Sequence, residues 1–261
     1  MPEQTPIKAL LLDIEGTTTP VEFVYDVLFP YARARVEEFV RRLGHTEDVG
    51  DDIEGLRRQH AADVEEDLNP PPWKLGPGDL EAAPAGGEAP GVVADNVESL
   101  VAYVHWMMDE DRKSTPLKSL QGKIWEDGYR SGALKGQVYP DVRGAFKRWR
   151  QQGRQIFIYS SGSVLAQKLL FGNSTAGNLG ELISGYFDTT TGPKKEEASY
   201  RKIATEVGVP PEQIWFTSDV ADELDAARRA GMQTALCVRS QGPPLEASGH
   251  PVIRSFEGVF S

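Results

Sequence analysis

Cysteine is nearly absent from this chain. Cys237 is the only one in 261 residues, so no intrachain disulfide can form, and the count fits a reducing compartment. It sits in the apolar run Thr234-Ala235-Leu236-Cys237-Val238, where a free thiol packs as a small hydrophobe and reads as buried filler rather than as a nucleophile. Histidine is scarce as well. His45, His60, His105 and His250 are scattered without the spacing of an imidazole metal site; His105, beside Trp106, has a second reading as a side chain facing a cleft. No run reaches the roughly 18 to 20 apolar residues that cross a bilayer. No basic segment followed by a long apolar core opens the chain, so no secretory leader is expected. Positive charge is in deficit, with a formal net charge of −11, which argues against nucleic acid and anionic membranes as partners. There is no internal repeat. These absences point to a cytoplasmic protein that binds neither nucleic acid nor membrane.

What the chain does have is the run Leu11-Leu12-Asp13-Ile14-Glu15-Gly16-Thr17-Thr18-Thr19-Pro20. It follows a short apolar segment and places Asp13 and Glu15 where a buried strand meets its loop. Such an end can present a nucleophile, a proton donor and a metal ligand together, which suggests phosphoryl transfer through an aspartyl-phosphate. An acidic chain acting on a phosphate must supply local positive charge from a metal, a lysine and helix N-termini against its own field.

Residues 7–12 read as a buried strand. Val36, Phe39, Val40 and Leu43 then carry helical spacing, with Gly44 as a stop. A polar helical stretch covers about Thr46 to Leu68, and Asn69 to Gly91, rich in Pro, Gly and Ala, reads as a loop. Helical spacing returns at Val97, Leu100, Val101 and Val104, and a further helix starts near Ser114-Thr115-Pro116 and runs past Trp125. From about Tyr139 the texture changes. Asp141 to Gln152 reads as a helix with Val142, Phe146 and Trp149 on one face. Strands follow at Gln155–Tyr159, Gln213–Thr217 and Thr234–Val238, with a helix after Ser160-Ser161-Gly162-Ser163 and another over Asp222–Ala230, closed by Gly231. Alternation at this spacing implies an α/β fold, a doubly wound parallel sheet covered on both faces. The first strand belongs to that sheet, so residues 1–23 and 135–261 form the core and 24–134 an inserted helical domain.

In such a sheet ligands bind beyond the carboxyl ends of the strands. Three predicted strands end in polar clusters there: Asp13-x-Glu15, Ser160-Ser161-Gly162 and Ser218-Asp219, with Lys194 and Lys195 in the loop after Thr191-Gly192-Pro193. Each also has a structural reading. Asp13 and Glu15 suit turn carboxylates capping the Thr17–Thr19 amides, Asp219 suits an N-cap, and Ser160-Ser161 suits an ordinary helix entry. Trp125 and Tyr129, four apart on a helix, read as core more readily than as a substrate shelf.

The constellation resembles the haloacid-dehalogenase superfamily of phosphatases. Asp13-Ile14-Glu15-Gly16-Thr17 resembles its first motif, Ser160 in Ile158-Tyr159-Ser160-Ser161 its second, Lys194 its third, and Asp219 with Glu223 its fourth, in the right order, with the helical insert in the place of that superfamily's cap. The runs Asp13 to Pro20, Ser160 to Leu170, Ser199-Tyr200-Arg201-Lys202-Ile203-Ala204, Gln121-Gly122-Lys123-Ile124-Trp125 and Gly128-Tyr129 resemble, more specifically, the enolase-phosphatase family of methionine salvage, the acireductone synthases. The resemblance spans nearly the whole chain and is most individual over Asn69 to Gly91. It implies Asp13 as the nucleophile on phosphorus and Glu15 as the acid for the leaving oxygen and then the base for water. It implies one Mg²⁺ held by Asp13, Glu15 (often through its backbone carbonyl) and Asp219, and phosphate held by Ser160, Ser161 and Lys194. Glu223 stands behind the ligands, Lys195 is exposed, and Asp222 and Asp225 are solvated. Gln121 and Lys123 become the insert residues to test for substrate contact.

The implied reaction enolises 2,3-diketo-5-methylthiopentyl-1-phosphate and then removes its phosphate to leave the acireductone 1,2-dihydroxy-3-keto-5-methylthiopentene; the implied state is a monomer. The rivals are a simple Mg²⁺-dependent phosphatase of the same superfamily, a dehalogenase, against which Glu15 argues, and a binding module on a dead core, against which the retained Asp13, Glu15, Lys194 and Asp219 argue.

Overall fold

All four residues of β1 (Ala9–Leu12) are buried. Side chains alternate across a strand, so a strand with no exposed position has both faces covered, as in a parallel sheet lined by helices. The computed structural model describes residues 6–73, 94–112, 114–239 and 249–261. It divides into two compact units, Met1–Asp26 with Tyr129–Ser261, and Val27–Gly128. The stretch 74–93, which takes in most of the Asn69 to Gly91 loop, lies outside the described residues.

In chain order β1 is followed by a π-helical stretch (Phe23–Leu28), α1 (Phe29–Leu43), α2 (Glu47–Glu65), α3 (Ala94–Asp109), α4 (Thr115–Ser131), α5 (Val142–Gln151), β2 (Gln155–Tyr159), α6 (Val164–Gly172), β3 (Gly185–Phe187), α7 (Glu197–Val207), β4 (Ile214–Ser218), α8 (Ala221–Arg229), β5 (Gln233–Cys237) and β6 (Val252–Ile253). Among the described residues the strands form one sheet in the order β3-β2-β1-β4-β5-β6, every pair parallel. The α/β, doubly wound reading therefore holds.

Alternation sorts the core by face. Ala9 and Leu11 join Phe157, Tyr159 and Phe216 under Tyr200 and Ile203 of α7 and Leu224 and Ala227 of α8. Val142, Phe146 and Trp149 are buried on α5, and Phe146 meets Phe171 of α6 at 6.2 Å between ring centroids. Trp149 meets Phe256 at 5.3 Å and donates its Nε1–H to Val259 O at 2.9 Å, which ties the C-terminal segment to α5. The unit Val27–Gly128 has its own core, with Val36, Phe39 and Val40 of α1 against Ile53 and Leu56 of α2, Leu100 and Val104 of α3, and Leu120 and Ile124 of α4.

The two glycine stops differ. Gly231 after α8 is left-handed, with φ of 95°, the usual helix end. Gly44 after α1 is right-handed, and the turn is closed instead by Thr46, whose N–H and Oγ1 both bond to Leu43 O, at 2.9 and 2.7 Å.

Candidate functional site

The register aligns the strand ends. Leu12 pairs with Ile158 of β2 on one side and Thr217 of β4 on the other, so Asp13, Tyr159 and Ser218 are level at the carboxyl edge. The chain leaves β1 toward β2 and β3 on one side and reaches β4 and β5 on the other, the switch point where open α/β sheets hold ligands.

Beyond Asp13 the backbone turns tightly. The N–H groups of Thr17, Thr18 and Thr19 all bond to Ile14 O, at 3.2, 2.9 and 2.9 Å. The Thr amides are thus capped by a carbonyl, which leaves the carboxylates of Asp13 and Glu15 for other work. Gly16 holds φ of 66°, and a Cβ there would overlap the Asp219 carboxylate. The glycine therefore serves twice, in the turn and in making room for Asp219. Arg239, two residues beyond β5, clamps the loop: its Nε and Nη2 donate to Thr17 O at 2.9 and 2.6 Å while Nη1 pairs with Asp141 at 2.7 Å.

Asp13 is buried and multiply held. Its Oδ1 accepts from Ile14 N–H at 2.8 Å and from Lys194 Nζ at 2.7 Å, and its Oδ2 lies 2.8 Å from Ser218 Oγ. Lys194 Nζ also lies 2.8 Å from Glu223 Oε2, and Ser218 Oγ is 3.0 Å from that same oxygen; its single proton serves one carboxylate at a time. Burial alone would lower the Lys194 ammonium, but Asp13 and Glu223 outweigh it and hold it above its ordinary value. One ammonium shared by two buried carboxylates cannot fully offset either. Burial and then Asp13 push Glu223 up to about 7, against the pull of Lys194.

Glu15 is raised too, by burial and then by Asp13, and its Oε2 stands 3.5 Å from Ser160 Oγ. Ser160 is buried and accepts from Gly162 N–H at 3.1 Å. The helix-entry role falls to Ser163, which accepts from Ala166 N–H at 3.3 Å and caps α6, so Ser160 is spared it. Ser161 is exposed. Asp219 does not cap α8, whose N-cap is Val220 with no side-chain cap bond. Burial and then Asp13 push Asp219 up to about 6.

The donor set suits a hard divalent cation. After burial, Asp13 raises the proton affinity of both Glu15 and Asp219, and Asp219 adds to that of Glu15, a repulsion that such a cation offsets. Among the described residues no three His, Cys, Asp or Glu side chains gather into a metal-holding group. Mg²⁺ ordinarily takes one or two protein carboxylates, with water, a carbonyl and substrate phosphate filling its other positions.

The remaining sequence candidates are placed as follows. Lys195 pairs with Asp222 on the surface at 2.9 Å. Lys123 is held by Asp52 at 2.7 Å and by Asp48 at 3.1 Å, and Gln121 is buried. Trp125 donates to Leu28 O at 2.8 Å; Tyr129 is buried. His60 Nε2 bonds Pro71 O at 2.8 Å, and His105, half-buried, bonds Arg33 O through Nε2 at 3.0 Å. Asp225 is partnered by Arg228 and by His250 at 3.2 Å. Two site residues carried no assignment from sequence. Ser218 stood beside Asp219, and a hydroxyl at a strand end was the available signal. Arg239 lies 222 residues from Thr17, and nothing local marks it.

Glu223 yields a pH prediction. A carboxyl raised to about 7 in the fold favours the folded state while protonated, and that stability is lost as pH rises from its unfolded value through the folded one. Glu223→Gln, which resembles the protonated form, escapes the loss. Denaturant titrations without metal at about pH 5 and about pH 8 should therefore show the variant gaining stability relative to wild type toward the higher pH; a difference that is flat or falls contradicts the assignment.

Comparison with known proteins agrees with this geometry. Residues 7–231 match the family model described as haloacid dehalogenase-like hydrolase. The chain is 48% identical over 257 residues to enolase-phosphatase E1 of Synechococcus elongatus, covering 98% of this chain and 99% of the relative. It is 46% identical to enolase-phosphatase E1 of Azotobacter vinelandii, covering 97% of each. The crystal structure of the UTR4 protein of Saccharomyces cerevisiae superposes with a TM-score of 0.73 at 33% identity, over 97% of this chain and 99% of that one.

Proposed function

We propose, for a chain that belongs to the enolase-phosphatase family within the haloacid dehalogenase-like hydrolases, that Asp13 is the nucleophile of a two-step reaction. The substrate is 2,3-diketo-5-methylthiopentyl-1-phosphate, which is enolised and then dephosphorylated to the acireductone of methionine salvage. The observation that carries this reading is the placement of Asp13 at the end of the central strand, one oxygen on Lys194 and the other on Ser218, at 2.7 and 2.8 Å.

Asp13 attacks phosphorus, with its orientation fixed by the Ile14 amide and Ser218. Lys194 offsets the charge of the two anions that meet there and binds the phosphate. Glu15, whose proton affinity is raised by burial and Asp13, gives a proton to the leaving oxygen and takes one from the water that releases Asp13. Ser160, with the Gly162 amide folded onto it, and Ser161 offer hydrogen bonds to phosphate oxygens. One Mg²⁺ is to be held by Asp13, Asp219 and the Glu15 carbonyl; when bound it polarises the carbonyl oxygen for enolisation and neutralises the phosphoryl group for transfer. The net charge of −11 argues against nucleic acid as a partner, and the positive charge for a small phosphate is supplied locally by Lys194. Among the described residues no helix is long and apolar enough to cross a membrane. A lone buried Cys237 is in keeping with a cytoplasmic location, and the family resemblance suggests a monomer.

The test follows enol absorbance and released phosphate together, with Mg²⁺ and the diketo phosphate. Enol appearing before or with phosphate, and both abolished by EDTA, is the expected result. Hydrolysis of generic phosphate esters with neither signal from the diketo phosphate would keep the phosphatase and discard the substrate.

A further inference from the structure

The loop that carries Lys194 is gripped from within the core. Three consecutive carbonyls each accept a side-chain hydroxyl: Gly192 O from Tyr159 at 2.7 Å, Pro193 O from Ser199 at 2.7 Å, and Lys194 O from Tyr200 at 2.6 Å. Tyr159 ends β2, and Ser199 and Tyr200 lie in the first turn of α7; all three are buried. Loop carbonyls ordinarily turn to water. Here consecutive ones are taken by donors on two rigid elements. Gly192 is part of the arrangement: at φ of 154°, a Cβ there would collide with Ser199 Oγ.

Packing does not need these hydroxyls. The Tyr159 and Tyr200 rings meet edge to face at 5.6 Å and Tyr200 meets Phe216 at 5.1 Å, contacts that phenylalanine would keep. The hydroxyls address the loop instead. A lysine ammonium sits on a flexible stem, so its placement on Asp13 and Glu223 depends on how firmly its own backbone is held. Small errors in such placement are costly to catalysis.

We propose that Tyr159, Ser199 and Tyr200 form a hydroxyl clamp that positions Lys194 for the nucleophile and the phosphate. The clamp acts through Lys194 and touches no reacting atom. The proposal deepens the function above, since it rests on Lys194 binding the transferred phosphate.

The test is a double-mutant cycle. Tyr200→Phe should lower kcat by about 10- to 100-fold and raise the inhibition constant of inorganic phosphate, and in a Lys194→Ala background it should change either by no more than roughly twofold. Ile203→Val, on the same helix and in the same core, serves as the control. At a matched loss of melting temperature it should leave kcat and phosphate inhibition as in wild type. Equal losses from Tyr200→Phe in both backgrounds, no loss in either, or the same loss from Ile203→Val would each overturn the clamp. The cycle runs on whichever phosphate ester the wild type hydrolyses, so a wrong substrate leaves it decisive. Unchanged hydrolysis by Lys194→Ala would overturn the lysine's role and the clamp together.

Discussion

Asp13→Asn should abolish phosphate release, by about 10⁴-fold or more, because it removes the covalent route while keeping the shape of the side chain. The remaining oxygen can still meet Lys194 or Ser218, which lie 2.7 and 2.8 Å from the two carboxylate oxygens. The loss should not be a folding defect. Glu223 and Asp219, raised to about 7 and about 6 partly by Asp13, are relieved when that charge goes, and Lys194 remains paired with Glu223 at 2.8 Å. Breaking a buried ion pair is ordinarily destabilising because it strands a charge, but here the stranded partner retains a carboxylate. Without metal the variant should therefore unfold at a temperature at or above that of wild type. Turnover within roughly tenfold of wild type, from protein free of reverted Asp, would remove Asp13 from the chemistry.

Gly16→Ala should be the next most damaging change, and it touches no substrate. Alanine at φ of 66° costs about 1–2 kcal/mol of backbone strain, a tolerable loss for a domain of this size. The larger effect is local. The new Cβ falls where the Asp219 carboxylate sits, so Asp219 must leave its place. As the proposed metal ligand, Asp219 displaced by an ångström or so should cost about 100-fold in kcat, with a matching rise in the Mg²⁺ concentration needed for half-maximal rate. Calorimetric titration with Mg²⁺ reads the same displacement without turnover. If Gly16→Ala binds Mg²⁺ as wild type does and keeps its kcat, Asp219 does not hold the metal.

How much of this was legible in the chain depends on range. β1, β2, β4 and β5 showed as apolar runs, the first three ending in polar clusters, because a strand buried on both faces must be apolar throughout. β3 and β6, of three and two residues, are too short to carry a pattern and exist because a neighbour pairs with them. The Asp13-x-Glu15-Gly16 motif is local and announced itself. Its competing interpretation, carboxylates capping the Thr amides, could only be settled by seeing those amides bonded to Ile14 O. Ser160 and Ser163 look interchangeable in sequence; the cap on Ala166 N–H separates their duties. Ser199-Tyr200 was visible as a motif without a purpose, and the purpose lies in carbonyls of the loop that precedes it. Arg239 and Asp141 were invisible as a pair because the contact that matters closes a long excursion of chain onto Thr17. Hydrophobic period records burial, while partnerships between distant polar groups leave no period.

The most direct measurement of the central claim is a rapid-quench single turnover with Mg²⁺, followed by mass spectrometry of the denatured protein. The account predicts a transient gain of one phosphoryl group, confined to the peptide that holds Asp13 and absent in Asp13→Asn. Phosphate released at the wild-type rate with no phosphorylated protein at any time, or a phosphoryl group on another residue, would contradict it.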